Sequence, residues 1–265
     1  MEKKSDLLLL DRPEILNFLF YPRKESGRRL PDYAENFDII TQDGILIGSR
    51  MYLTDQDKPH ILFFHGNGEI AEDYDEIGAV FIRYDMNFIV VDYRGYGRSE
   101  GSPGVASMIS DAHQAFTSIC KWLKTENRNG PLWIMGRSLG SASAIELASN
   151  YPDKIKGLII ESGFAHTIAL LQRIGVNTEL LNLKDEHIIS NLQKIKKFSG
   201  PTVVIHGEFD QIIPVNHGKN LFENSPASLK KIHVIQGADH NTLLMVSGKK
   251  YFEMIRGFID QAMNS

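Results

Sequence analysis

The strongest indication of the fold is the segment Leu132-Trp133-Ile134-Met135-Gly136-Arg137-Ser138-Leu139-Gly140. A short apolar run ends in Gly-Arg-Ser-Leu-Gly, and Ser141–Ala148, a run of small and helix-forming residues, follows at once. This order predicts a buried strand, a very sharp turn and a helix.

The turn carries the G-x-S-x-G pattern, in which the serine is expected to take strained backbone angles. Gly136 and Gly140 have no side chains, so the predicted strand and helix can approach closely. Ser138 would then project from the sheet at the start of a helix, where free backbone N–H groups can bind an oxyanion. Five-residue patterns recur by chance, but the setting between a buried strand and a small-residue helix favours a catalytic serine.

Working outward from this turn, apolar runs alternate with helical patterns. Strands are predicted at 60–64, 87–91, 156–160, 202–206 and 231–235, and helices at 70–84, 105–126 and 249–263. Such alternation predicts an α/β fold with a mostly parallel central sheet and helices on both faces. The segment 37–53, with an Asp43-Gly44 turn, predicts an antiparallel N-terminal hairpin at one edge. Without a repeat or a linker, 1–265 is predicted to be a single domain.

One connection is longer than the others. After Ile160 the next predicted strand begins only at Thr202. Between them lie two helix-like segments, Thr167–Ile174 and Asp185–Lys197. A plain helix-to-strand connection is far shorter, so we expect a short helical cap insertion at about 163–198. Its apolar residues would either pack on the domain or face a substrate; they are Leu170, Leu171, Leu180, Leu181, Ile188, Ile189 and Leu192.

Length, net charge and cysteine content argue against some classes of function. The 265 residues are enough for one large α/β domain, and a net charge of −4 argues against a general nucleic-acid binder. Cys120 is the single cysteine, so it is expected to be a structural thiol in a reducing, cytoplasmic location. No run approaches the roughly 18 apolar residues that span a bilayer. Residues 7–20 would either pack on the domain or make weak contact with a membrane surface.

A serine hydroxyl needs a base to take its proton and a third group to orient that base. Asp210 follows the strand 202–206, and His240 follows the last strand, 231–235. The order Ser138, Asp210, His240 is the order of nucleophile, acid and base that accompanies the G-x-S-x-G turn. These three residues are therefore the predicted catalytic triad.

Other assignments stay open at the level of sequence. Asp239 is adjacent to His240, and Glu161 follows the strand 156–160, so either could be the acid. His65 and His206 both end strands before a glycine, where a hydrogen-bonded loop anchor is the expected role. Neither H-E-x-x-H nor a phosphate-binding loop is present, so we expect no metal and no cofactor.

The chain resembles the α/β-hydrolase family of serine hydrolases from about residue 37 to its end. The likeness rests on His65-Gly66-Asn67-Gly68, on the turn around Ser138, and on Asp210 and His240 in their loops. The stretch 92–97, Asp-Tyr-Arg-Gly-Tyr-Gly, is similar to the small esterase, thioesterase and lipase-like members. The resemblance implies an oxyanion hole formed by the backbone N–H groups of Asn67 and Leu139.

The expected function is that of a carboxylesterase- or thioesterase-like serine hydrolase. It would cleave a small-molecule acyl ester or thioester through an acyl-enzyme intermediate on Ser138. The alternative is a non-catalytic protein of the same fold that binds a ligand or partner. A complete triad in the correct order favours the enzyme.

Overall fold

In the computed structural model, which describes residues 7–184 and 190–265, eight strands form one sheet. The strand order is β1-β2-β4-β3-β5-β6-β7-β8. The strands are β1 Ala34–Ile40, β2 Leu46–Tyr52, β3 His60–Phe64, β4 Asn87–Val91, β5 Leu132–Arg137, β6 Gly157–Glu161, β7 Thr202–Gly207 and β8 Lys230–Ile235.

The antiparallel part of the sheet is confined to one edge. β1 pairs with β2, and β2 with β4, in antiparallel register, whereas every pair from β4 through β3 to β8 is parallel. Gly44 closes the β1–β2 turn with a φ of +80°, a conformation that glycine adopts without steric cost. The predicted mostly parallel sheet and its N-terminal hairpin are confirmed.

Helices cover both faces of the sheet. They are α1 Pro13–Leu19, α2 Asp75–Arg83, α3 Val105–Thr125, α4 Gly140–Asn150, α5 Thr167–Arg173, α6 Asn191–Ile195, α7 Val215–Asn224, α8 Leu243–Ser247 and α9 Lys249–Met263, with a 3₁₀ turn at Ala71–Tyr74. Apolar residues of α1, α3, α4 and α7 share one core with Leu62 and Phe64 of β3. Residues of α2 and α9 share the other core with Ile61 and Phe63 of the same strand. Alternate side chains of a central strand therefore enter two separate cores.

Three of the described helices, α1, α7 and α8, were absent from the sequence-based prediction. α7, with the sequence VNHGKNLFEN, contains one glycine and three asparagines, so its local preference for helix is weak. It forms because Leu221 and Gly218 are buried against β7, where tertiary packing outweighs propensity. α8 has five residues, too few to show a helical period.

The insertion between β6 and β7 contains α5 and α6. The predicted helix Asp185–Lys197 is observed as the shorter α6, Asn191–Ile195, while its first part, 185–189 with Ile188 and Ile189, lies outside the described residues. Leu170 and Leu171 are buried, and Leu181 and Leu192 pack at the margin of the same core. Leu180 does not belong to this apolar underside, since it is 81% exposed.

The N-terminal segment, residues 7–20, packs on the domain. Leu7, Leu10, Ile15 and Phe20 are buried in the core shared with α3 and α4, whereas Leu8 and Phe18 remain exposed. The first of the two alternatives for this segment is therefore observed. Among the described helices, none combines the length and the apolar character needed to traverse a bilayer.

Candidate active site

The turn between β5 and α4 has the strained geometry that its sequence predicts. Ser138 has a φ of +51°, in the left-handed region that side-chain-bearing residues rarely occupy. A Cβ on Gly136 would lie 2.3 Å from the Gly140 carbonyl oxygen, and one on Gly140 would lie 2.0 Å from the Phe64 carbonyl oxygen. Both positions require glycine because backbone atoms occupy the space that a side chain would need.

Three predicted residues meet at the carboxyl-terminal edge of the sheet. The hydroxyl Oγ of Ser138 lies 2.9 Å from Nε2 of His240, and Nδ1 of His240 lies 2.7 Å from Oδ2 of Asp210. The side chains come from the ends of β5, β7 and β8, and all three residues are buried. Their hydrogen-bonded row has the order that a base between a nucleophile and an orienting acid requires.

The environment of Asp210 keeps it ionised. Burial by itself would raise the pKa of this carboxyl, but hydrogen bonds from His206, His240 and the Ile213 amide lower it well below its ordinary value. Oδ1 of Asp210 accepts from the backbone N–H groups of Ile212 and Ile213, at 3.0 and 2.7 Å. The second oxygen, Oδ2, lies 2.7 Å from Nδ1 of His240 and 3.3 Å from Nε2 of His206.

The rival acids have other partners. Asp239 is exposed and accepts hydrogen bonds from the backbone N–H groups of Asn241 and Thr242. Glu161 pairs with Arg137 and accepts a hydrogen bond from the Tyr251 hydroxyl. Asp210 is thus the carboxylate that meets His240.

His65 and His206 are loop anchors, as predicted. His65 is buried, with Nδ1 2.8 Å from the Gly66 carbonyl oxygen. Nε2 of the buried His206 donates to the carbonyl of Ile213, at 2.7 Å, and so closes the loop that carries Asp210. Each histidine stabilises a loop that follows a strand.

The two predicted oxyanion donors, Asn67 and Leu139, lie in the loop after β3 and just before α4. The Gly140 backbone lies against the carbonyls of Phe64 and His65, so the loop after β3 contacts the start of α4. Within the described parts of the chain, the backbone N–H groups of Asn67 and Leu139 are not engaged in a hydrogen bond. Both amides are therefore available to an anionic oxygen.

The Asn67 side chain has partners that the sequence did not indicate. Its Oδ1 accepts from the Tyr96 hydroxyl at 2.6 Å and from the Tyr21 backbone N–H at 2.8 Å. Arg23 donates from Nε to the carbonyl of the next residue, Gly68, at 2.7 Å. The segment after α1 thus holds the loop in which Asn67 lies.

A narrow apolar cavity of about 20 Å³ adjoins Leu139. Its walls come from the N-terminal segment, from α3 and α4, and from the insertion; they are Leu10, Leu19, Val105, Met108, Leu139, Ala142, Phe164, Thr167, Leu170 and Leu171. Two residues of the predicted underside, Leu170 and Leu171, line it. The contribution of Leu10 and Leu19 was missed, because an apolar arm far away in sequence gives no signal of where it docks.

Arg137 was also missed, since the pattern treats its position as variable. Its guanidinium contacts Glu69, Glu161 and the His240 carbonyl.

Residues 7–184 and 190–265 contain no cluster of three or more histidine, cysteine or acidic side chains suited to a metal ion.

Several known proteins are similar to this chain in sequence or in fold. The family model described as "Serine aminopeptidase, S33" matches residues 55–181. Protein bem46 of Schizosaccharomyces pombe is 28% identical over 243 residues, covering 85% of this chain and 76% of that protein. Human Alpha/beta hydrolase domain-containing protein 17B is 28% identical over 217 residues, covering 78% and 68%.

Among solved structures, the Pyrococcus furiosus esterase Pf2001 superposes with a TM-score of 0.74 at 19% identity, covering 91% of this chain and 98% of the esterase. A structural match at that identity establishes the shared fold. Together with the sequence matches and the observed strand order, it shows that the chain has the α/β-hydrolase fold.

Proposed function

We propose that this protein is a serine esterase or thioesterase that cleaves small acyl esters or thioesters. The observation that carries the proposal is the hydrogen-bonded row of Ser138 Oγ, His240 and Asp210, with distances of 2.9 and 2.7 Å. A base nitrogen within about 3 Å of the oxygen whose proton it must abstract satisfies the geometric requirement for general base catalysis.

In the proposed reaction, Nε2 of His240 takes the hydroxyl proton while Oγ of Ser138 attacks the acyl carbonyl carbon. The oxyanion accepts hydrogen bonds from the amides of Asn67 and Leu139, an interaction that is typically worth about 2.7–4 kcal/mol per donor. The intermediate collapses, and the alcohol or thiol leaves with the proton from His240. Water then attacks the acyl-serine, His240 takes the water proton, and the carboxylic acid departs as Ser138 regains its hydrogen. Asp210 stabilises the imidazolium in both halves.

The cavity beside Leu139 favours an acyl group over an amino-acid residue as the substrate. Its described walls are apolar except for Thr167, whereas an aminopeptidase must bind the charged α-ammonium group of its substrate. A cavity of about 20 Å³ holds little more than one water molecule, so a long acyl chain would need the N-terminal segment and the insertion to move apart.

The decisive experiment is the variant Ser138→Ala, measured with p-nitrophenyl esters and a fluorophosphonate probe. We expect turnover to fall by about 10³-fold or more and covalent labelling to be lost, since the nucleophile is gone. Labelling that persists at full strength in this variant would refute the assignment of Ser138. The non-catalytic alternative would be favoured if the wild-type protein is not labelled by the probe and hydrolyses no substrate of a broad acyl panel, yet binds a ligand.

A substrate series separates the chemical classes. Acetyl, butyryl and octanoyl esters, the corresponding acyl-CoA thioesters and aminoacyl p-nitroanilides are compared at equal concentration. The proposal predicts hydrolysis of esters or thioesters and little cleavage of the anilides. Anilides cleaved faster than every ester would instead identify a peptidase.

A further inference from the structure

Arg137 precedes Ser138 in the chain, and its side chain extends beneath the loop that carries Asn67. Nη1 lies 2.6 Å from Oε1 of Glu69, in that loop, and Nε lies 3.0 Å from Oε1 of Glu161, at the end of β6. The guanidinium also lies against Gly66, where a Cβ would be 2.7 Å from Nη1. The Arg137 side chain is only 12% exposed.

The third nitrogen of Arg137 reaches the loop of the proposed base. Nη2 donates to the backbone carbonyl of His240 at 2.9 Å and lies 3.3 Å from Oδ1 of Asn241. Glu69 continues the network, because its Oε2 accepts from the Gly66 backbone N–H at 2.7 Å and from the Tyr74 hydroxyl at 2.5 Å. One guanidinium therefore joins the loops after β3 and β8 to the strand that ends at the nucleophile.

We propose that Arg137 is a positioning residue, which sets the distance from Ser138 to both His240 and the Asn67 amide. This inference rests on the proposed function of the same site. It follows from the planar fork of arginine, whose donors point in fixed directions and can hold three acceptors at once. Catalytic geometry is sensitive to small displacements, since a shift of about 1 Å can reduce the rate by about 100-fold.

The charge of this network is stable. Burial alone would lower the pKa of Arg137, but the carboxylates of Glu69 and Glu161 raise it above its ordinary value. Glu69 has a lowered pKa, because Arg137 and the Tyr74 hydroxyl outweigh the effect of burial. The ion pair between Arg137 and Glu69 therefore persists at neutral pH.

The alternative is that Arg137 only stabilises the fold, and the chain offers a matched control for it. Arg94 is similarly buried, 14% exposed, and also bridges two carboxylates, those of Asp43 and Asp111. Its partners belong to the β1–β2 turn and to α3, and none of them is a residue of the proposed site. Arg94→Lys therefore removes a comparable arginine bridge between two carboxylates, and its partners lie outside the loops of Asn67 and His240.

The experiment compares Arg137→Lys with Arg94→Lys in the full chain. Lysine keeps the charge, but its donors all lie on one nitrogen, so they cannot span the separated acceptors that Nε, Nη1 and Nη2 of Arg137 reach. We expect Arg137→Lys to lower kcat by about 10- to 100-fold with KM within about twofold. We also expect weaker binding of a boronic-acid transition-state analogue, in proportion to the loss in kcat/KM. Arg94→Lys should leave all three quantities unchanged while it shifts Tm by a similar amount.

Chemical rescue gives a readout that a structural role would not move. A cavity of about 210 Å³ is lined by Arg137, Glu69 and Glu161 and reaches half-exposed residues such as Ile77, so a small cation can enter. Millimolar guanidinium should restore part of kcat in Arg137→Ala and none in Arg94→Ala.

Wild-type kcat in a folded Arg137→Lys would overturn the inference. If that variant does not fold, Glu69→Gln provides the test, because it weakens the contact between Arg137 and the loop of Asn67. An unchanged kcat in Glu69→Gln would show that this contact does not affect the rate, and would overturn the inference. Absence of turnover in the wild type would instead refute the proposed function.

Discussion

At the level of single residues, the site depends on the backbone conformation of Ser138 and on the close packing at Gly140. Ser138 holds a φ of +51° because its own N–H donates to the Glu161 carbonyl at 2.9 Å and Gly140 allows the turn to press against Phe64. Strained angles of this kind cost about 1–3 kcal/mol and persist only where the surroundings enforce them. The serine is thereby lifted out of the strand and into hydrogen-bond reach of His240.

The role of Asp210 is tested by Asp210→Asn, with Asp239→Asn as the matched control. Asparagine favours the wrong tautomer of His240 and cannot stabilise its cation, so kcat should fall by about 10³- to 10⁴-fold. Asp239 lies next to His240 in the chain but binds exposed backbone amides, which asparagine can also do. Its variant should retain activity within about threefold, measured with p-nitrophenyl acetate; equal losses in the two variants would contradict the assignment of Asp210.

Two glycine-to-alanine substitutions are expected to change the free energy of unfolding in opposite directions. Gly140→Ala places a methyl group 2.0 Å from the Phe64 carbonyl oxygen, so we expect the free energy of unfolding to fall by about 3 kcal/mol or more. Gly257, in α9, has open space around its Cβ position. Gly257→Ala should raise stability by about 0.5–1 kcal/mol, since alanine favours helix over glycine. Urea denaturation measures both, and a neutral Gly140→Ala would refute the close packing of the turn.

At the element scale, two segments far apart in sequence form one wall. Arg12, beside α1, donates to the carbonyl of Leu181 in the insertion, and Phe18 packs against Gly175. Leu10 and Leu19 then face Leu170 and Leu171 across the narrow cavity beside Leu139. The acyl preference of the site is therefore expected to depend on the N-terminal segment as much as on the insertion.

This arrangement predicts a change in chain-length preference for Leu170→Trp. The larger side chain fills the cavity, so the ratio of octanoyl to acetyl ester hydrolysis should fall by about tenfold, at a cost in stability of about 1–3 kcal/mol. Leu180 belongs to the same insertion but is 81% exposed, so Leu180→Trp should leave the ratio unchanged. An unaltered ratio in both variants would show that the acyl group binds elsewhere.

At the scale of the whole molecule, buried histidines make the fold sensitive to acid. Burial lowers the pKa of His60 to about 4, from an ordinary value of 6.5. Burial, together with the nearby His166, does the same to His217. Between pH 6.5 and 4 the unfolded chain binds protons that the native chain does not, so the free energy of unfolding decreases as pH falls through this window.

The substitution His60→Gln tests this linkage. It removes one of the groups that protonate on unfolding, so the loss of stability between about pH 7 and pH 4.5 should shrink by on the order of 2 kcal/mol. Denaturant midpoints across this range provide the measurement. Wild-type and variant curves that run parallel would show that His60 does not contribute.

Local signals in the sequence predicted the strand-turn-helix around Ser138, the parallel strands and the order Ser138, Asp210, His240. They could do so because buried strands appear as short apolar runs and because sharp turns demand glycine. They did not indicate α7, whose helical form depends on burial of Leu221 against the sheet.

Long-range packing brings His240 to Asp210 rather than to its neighbour Asp239, and it places α1 against the cavity beside Leu139. The same packing brings Arg137 to the His240 carbonyl, 103 residues away in the chain. Local preference acts over a few residues, whereas such contacts form when the strand ends converge at one edge of the sheet and the remaining polar groups must find partners there.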